Sequence, residues 1–266
     1  MTRTIAFIGL GNMGGGMAAN LVAKGFTVRA FDLAEAALAR AEAAGAIRTV
    51  SCAQAVTGAD AVVTMDCSTI DVATARRVAS AALAEGFEMV DAPVSGGIAA
   101  ANGGTLTFMV GGEESSFARA QPILSAMGKA VIHAGGAGNG QAAKICNNML
   151  LGATMAATCE AFAMAQKIGL DPQTFYDISS VSSGQSWSMT SYCPVPGVGP
   201  QTPADNDYQG GFAVALMLKD LKLATEAAAS VNASVPMGNA AESLYQMLAN
   251  KGEGAKDFSS MITFLS

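Results

Sequence analysis

The chain has 266 residues, 51% of them hydrophobic and 14% charged, with a formal net charge of −6. That composition describes a globular protein with material for one large or two ordinary domains, and it excludes a disordered chain. Without a basic run, nucleic acid and anionic membrane surfaces are also excluded as bulk partners.

The most apolar stretch, 149–165, contains Thr154, Thr158 and Glu160, so no window reads as a membrane span. The five cysteines, Cys52, Cys67, Cys146, Cys159 and Cys193, have neither metal nor redox spacing, and an odd count argues against a disulfide framework. A reducing, cytoplasmic location is expected. A first strand from about residue 4 leaves no room for a signal or transit peptide.

Residues 4–8 form a short apolar strand that runs into Gly9, Leu10, Gly11, Asn12, Met13 and Gly14, and these open a helix through Met17, Leu21 and Val22. A second strand, 27–31, ends at Asp32, 23 residues beyond Gly9. Strand, glycine turn, helix, strand and acid make up a dinucleotide-binding pattern. The glycines let the backbone approach a pyrophosphate, and the helix N-terminus supplies amides and a positive dipole. Asp32 repels a 2′-phosphate, and Leu33 and Ala34 offer no arginine to hold one, so NAD is expected over NADP.

The alternation continues with a helix over 35–44, a strand over 47–50, helical 53–56 and a strand over 60–65. Next come Asp66 to Asp71, a helix over 72–85 and a strand over 89–94. Strands alternating with helices predict a parallel, doubly wound sheet. Ser95, Gly96 and Gly97 follow as a tight turn that could present a hydroxyl and successive amides to a carboxylate, or could be a plain turn. A strand over 105–110, a helix near 116–127 and a strand over 130–133 complete this half, placed at residues 1–138.

From about 141 to 169 no proline interrupts a run dominated by alanine, leucine and methionine, which predicts one long helix. About thirty residues at 1.5 Å rise span roughly 40 Å, wider than a small domain, so such a helix serves two domains. Lys144 and Asn148 stand four apart and leave from one face. Spacing alone favours a solvated lysine beside a packing asparagine; the pair gains meaning only from the rest of the chain. Asp171 and Pro172 then cap a helix, an ordered Ser/Pro/Gly-rich stretch over 182–211 covers the cleft, and helices at 212–230, 237–250 and 257–265 close an all-α domain, 139–266. A single histidine, His133, cannot build the usual metal sites, and no nucleophile elbow is present. No metal is expected.

The stretches GLGNMG (9–14), DCSTID (66–71), DAPVSGG (91–97), GTLTFMVGG (104–112), GQAAKICNNML (140–150), SSGQSW (182–187), PVPGV (194–198), NDYQGGF (206–212), LMLKDL (216–221) and KDFSS (256–260) run in order from end to end. Together they resemble the β-hydroxyacid dehydrogenase family, and most closely its 3-hydroxyisobutyrate dehydrogenase branch. The resemblance implies an NAD-binding Rossmann-like domain, a long linking helix and an all-α domain that builds a homodimer or homotetramer. It implies Lys144 as the catalytic lysine and Asn148 as its partner at the substrate. Ser95, Gly96 and Gly97 would hold the substrate carboxylate, and Thr69 and Lys219 would contact NAD, with Asp220 supporting Lys219. The implied reaction is oxidation of a small 3-hydroxy acid to its semialdehyde, with 3-hydroxyisobutyrate first and serine second.

Two departures stand out. Gly16 occupies a place where the family commonly has proline, which should loosen the first helical turn. Between Met65 and Asp66 a Leu-Pro loop, a helix and most of a strand are missing, about thirty residues or one βαβ step. Closing the sheet over that loss would move the later elements inward by one strand spacing, about 4.8 Å. Either the sheet contracts around a rebuilt site, or the site is damaged and the chain is an inactive NAD-binding oligomer.

Overall fold

A computed structural model describes residues 3–64 and 69–265. Two compact units divide it, Met1–Lys144 and Ile145–Ser266.

In the first unit, β1 (Thr4–Ile8) lies parallel between β2 (Thr27–Phe31) and β4 (Ala61–Thr64), with β3 (Ile47–Arg48) outside β2. The central strand is apolar without alternation because both its faces are covered; Ile5, Ala6 and Phe7 have no exposed surface. The crossovers are α1 (Gly14–Ala23), α2 (Glu35–Ala43) and the single-turn α3 (Cys52–Val56). Beyond β4 come α4 (Val72–Ala84), β5 (Val94–Ser95), α5 (Gly97–Gly103), β6 (Leu106–Gly111), α6 (Glu114–Leu124) and β7 (Gly128–Gly135).

These later strands form a second sheet, β5-β6-β7, instead of extending the first. The inward shift towards one contracted sheet is therefore not what the chain adopts. Packing holds the second sheet where it is. Leu106, Phe108 and Val110 of β6 share one core with Ile5, Phe7, Met17 and Leu21. Asn20 of α1 also donates to the carbonyls of Gly16 and Ala101, at 2.9 and 2.8 Å. A few strand–strand hydrogen bonds, each worth about 1 kcal/mol net, cannot outweigh that burial. Among the described strands β4 is thus an edge, with Val62 half exposed.

Two further expectations change. The strand over 89–94 shrinks to β5, which pairs antiparallel to β6, plus one bridge between Asp91 and Gly111. The strand over 47–50 shrinks to two residues, with Thr49 held by its own hydroxyl on Ala30 O. Gly16 gains a role, because a Cβ there would sit 2.3 Å from Asn102 Oδ1 and hold α1 off α5.

The long helix, α7, spans Asn139–Lys167. The second unit adds α8 (Pro172–Ser179), α9 (Trp187–Thr190), α10 (Val214–Ser230), α11 (Pro236–Leu248) and α12 (Met261–Leu265). Met155, Cys159, Phe162, Met217, Leu221, Tyr245 and Phe258 are fully buried in its core. Asp171 caps α8 through the Thr174 N–H at 2.8 Å, with Pro172 in the first turn. The 182–211 stretch is ordered through its own packing: Cys193, Val195, Val198 and Tyr208 are buried, and the Tyr208 hydroxyl donates to Pro194 O at 3.0 Å. Buried Asp257 ties this stretch down. It accepts from the Tyr192 hydroxyl and the Phe212 N–H through Oδ2, and from Ser259 through Oδ1.

Candidate active site

The glycine turn joins β1 to α1. Gly9, at φ 94°, takes a conformation that suits glycine, and its N–H donates to Phe31 O at 2.9 Å. Gly14 has no room for a side chain, since a Cβ would lie 2.1 Å from Gly9 O. At Gly11 a Cβ would meet nothing within 4 Å, so the middle of the turn is open space. α1 has no side-chain cap and no acid in its first turn. Gly15 and Met17 N–H turn back onto Gly11 O and Met13 O at 3.4 and 3.1 Å, while the positive end of the helix faces the turn, as a dinucleotide pyrophosphate requires.

Asp32 closes the same turn. Its Oδ2 accepts the Leu10 N–H at 2.5 Å and its Oδ1 the Ala34 N–H at 2.7 Å. Those donors, Ala34 first and Leu10 second, hold the carboxyl below the ordinary carboxylate value. An ionised acid at the end of β2 fits ribose hydroxyls and opposes a 2′-phosphate. The residues present therefore fit NAD.

Met65, Asp66, Cys67 and Ser68, where the sequence suggested a lost segment, lie outside the described residues. Thr69 follows directly, Ile70 N–H donates to Gln141 Oε1 at 3.2 Å, and Asp71 caps α4 through the Thr74 N–H at 2.7 Å. Ser95 ends β5, and Gly96 and Gly97, at φ 132° and 69°, turn the chain into α5. A Cβ at Gly96 would sit 2.6 Å from that of Ala100. Both glycines are exposed.

Lys144 is half-buried on α7, one turn beyond Gly140. His133 takes no such place. Its ring stacks on Phe117 at 4.6 Å, Nδ1 faces Glu114 at 3.0 Å, and Nε2 lies 2.7 Å from Gly112 O. Both ring nitrogens are thus engaged within the fold.

In the second unit Asn148, Asp220 and Lys219 meet. The Asn148 amide, 1% exposed, donates through Nδ2 to Asp220 Oδ2 in a short hydrogen bond, and its Oδ1 accepts from Asn147 at 3.0 Å. Lys219 Nζ stands 3.0 Å from Asp220 Oδ1. Asp220, itself buried, therefore orders two site candidates and not Lys219 alone. Sequence reasoning missed Asp91, whose Oδ1 accepts the Gly138 N–H at 2.7 Å and whose Oδ2 accepts the Gln141 N–H at 2.8 Å. The signal was available: an acid four residues before Ser95, facing a glycine-rich helix start. Among the described residues no group of three or more His, Cys, Asp or Glu side chains could hold a metal ion.

Comparison with known proteins shows the family. The chain is 46% identical to the 3-hydroxyisobutyrate dehydrogenase of Pseudomonas aeruginosa over 288 residues, taking in 97% of this chain and 96% of that protein. The chain belongs to the 3-hydroxyisobutyrate dehydrogenase family. An NAD-dependent L-serine dehydrogenase of the same organism is 43% identical, over 97% of this chain and 96% of its own length. The solved structure of a Mycobacterium tuberculosis 3-hydroxyisobutyrate dehydrogenase with L-serine matches with a TM-score of 0.94 at 43% identity, covering 100% of this chain and 99% of the other. A family model described as the NAD binding domain of 6-phosphogluconate dehydrogenase matches residues 4–65 and 62–136. Another, described as NAD-binding of NADP-dependent 3-hydroxyisobutyrate dehydrogenase, matches 138–265. The family resemblance, the Rossmann-like and helical fold class, and NAD binding by an oxidoreductase all agree with these matches. No helix among the described residues is long and apolar enough to cross a membrane.

Proposed function

We propose that this protein oxidises a small 3-hydroxy acid to its semialdehyde with NAD, 3-hydroxyisobutyrate being the first substrate. The observation that carries the reading is the placing of Lys144 and Asn148 on one face of α7, with Asn148 already oriented by buried Asp220. When bound in the glycine turn and against Asp32, NAD supplies the hydride acceptor. Lys144, acting as its neutral amine, accepts the substrate hydroxyl proton at Nζ. Asn148 orients the hydroxyl or carboxylate. Ser95 and the amides of Gly96 and Gly97 hold the carboxylate, and Thr69 and Lys219 contact the cofactor.

Serine is the second substrate reading, favoured by the serine dehydrogenase relative and by the solved structure named with L-serine. An NAD-binding protein without turnover is a third, favoured by the split sheet. The alignment behind it runs over 288 residues, more than the 266 of this chain, and the N-terminal family model matches in two pieces that meet at 62–65. Both support the loss of one strand–helix step after β4.

NAD reduction followed at 340 nm with 3-hydroxyisobutyrate and with serine separates the three. Lys144→Ala is expected to abolish turnover while NADH binding is retained; turnover by that variant would remove Lys144 from the chemistry. Leu150, Met164 and Ile168 expose apolar surface along and just beyond α7, at 64%, 61% and 73%, which supports a homodimer or homotetramer through the helical unit. The mass of the protein in solution checks it. A cytoplasmic location fits Cys52, Cys146, Cys159 and Cys193, all free thiols, and fractionation of expressing cells checks it.

A further inference from the structure

Resting on that reading of Lys144, we propose that Asp91 is a positioning residue: it sets the start of α7, and with it Lys144, against the Ser95–Gly97 turn. Asp91 lies four residues before Ser95 on the segment leading into β5. Its backbone is locked to β6, donating to Gly111 O at 2.9 Å and accepting from Gly111 N at 2.8 Å. Its carboxylate grips the first turn of α7 through two amides, Gly138 N–H on Oδ1 and Gln141 N–H on Oδ2. A negative group at a helix N-terminus also meets the positive end of the dipole.

The surrounding glycines make the grip tight. A Cβ at Gly140 would lie 2.4 Å from Met109 O and 2.8 Å from Asp91 Oδ2. One at Gly111 would lie 2.5 Å from Asp91 Oδ1 and 2.6 Å from Gly140 N. Three backbones thus meet with no side chain between them. Lys144 follows Gly140 by four residues, so it leaves from the gripped face about 6 Å further along the axis. Any tilt or slip of the first turn is passed to the lysine, and a misplacement of about 1 Å can cost about 10²-fold in rate.

The test is a set of Asp91 variants, with Asp171→Ala as a control that removes an ordinary helix cap elsewhere. Asp91→Ala is expected to lower kcat at least about tenfold, leave NADH affinity within about twofold, and raise the primary deuterium isotope effect on kcat as chemistry slows. Asp91→Asn, able to accept only one of the two amides, should fall between. Asp171→Ala should lower thermal stability without these kinetic changes. Hydrogen exchange over residues 138–148 gives a reading independent of turnover: Asp91→Asn should accelerate it there, and Asp171→Ala should not. Unchanged exchange in Asp91→Asn, or wild-type kcat in Asp91→Ala, overturns the proposal. Turnover by Lys144→Ala would overturn the functional reading instead, so the two failures are distinct.

Discussion

Asp32 receives backbone N–H groups from both sides of the cofactor turn, Leu10 and Ala34, and one small change tests what that carboxylate is for. Asp32→Ala should weaken NAD relative to NADP by roughly 10- to 100-fold, the worth of a hydrogen bond to a charged group. An unchanged preference, measured by titrating both cofactors, would sink the ribose assignment. The glycine turn between β1 and α1 and Asp32 at the end of β2 were legible in the sequence because a strand, a tight turn and a helix are each dictated locally. The Lys144–Asn148 pair took its meaning from the family resemblance and not from its spacing. Asp91 and the Asn148–Asp220 bond were not legible, since their partners lie 47 to 72 residues away and only the folded chain joins them. A lone histidine attracts a catalytic role, yet here His133 is stacked on Phe117 and held by Glu114.

Helices were read more accurately than strands. Asp171 before Pro172 is a capping signal written in adjacent residues, and it accepts the expected N–H of Thr174; Asp71 caps α4 in the same way through Thr74. The same caps make stability depend on acid. The hydroxyl and amide of Thr74 lower the Asp71 carboxyl, and the amide and hydroxyl of Thr174 lower that of Asp171. A lowered folded-state value means the contribution is complete above the ordinary 3.8 and is lost as pH falls through the folded value. Asp171→Ser keeps a capping oxygen but cannot be protonated. Its urea midpoint should therefore fall less than that of the parent between pH 5 and pH 2, and parallel curves would deny the cap this role. The strands were harder. β5 exists only through pairing with β6, and its antiparallel sense has no local signature.

At the scale of the whole molecule, the sequence raised the expectation of a lost strand–helix step after β4, but did not say how the sheets are arranged. That arrangement is a competition between hydrogen-bonded closure and apolar packing, and packing keeps the sheets apart. β4 is left with β1 on one side and no described strand on the other. Its sequence, Ala-Val-Val-Thr, has none of the lysines or prolines that usually guard such an edge. Nearby in the chain, Val78, Leu83 and Phe87 expose 43%, 69% and 69% of their surface. An unguarded edge templates further strands, so colloidal behaviour becomes a property of this fold. Light scattering should grow with concentration and time, and Val62→Lys should suppress it without changing NADH affinity. Equal scattering by the two proteins would place the sticking surface elsewhere. The opened sheet thus limits how concentrated the protein can become before its molecules begin to adhere.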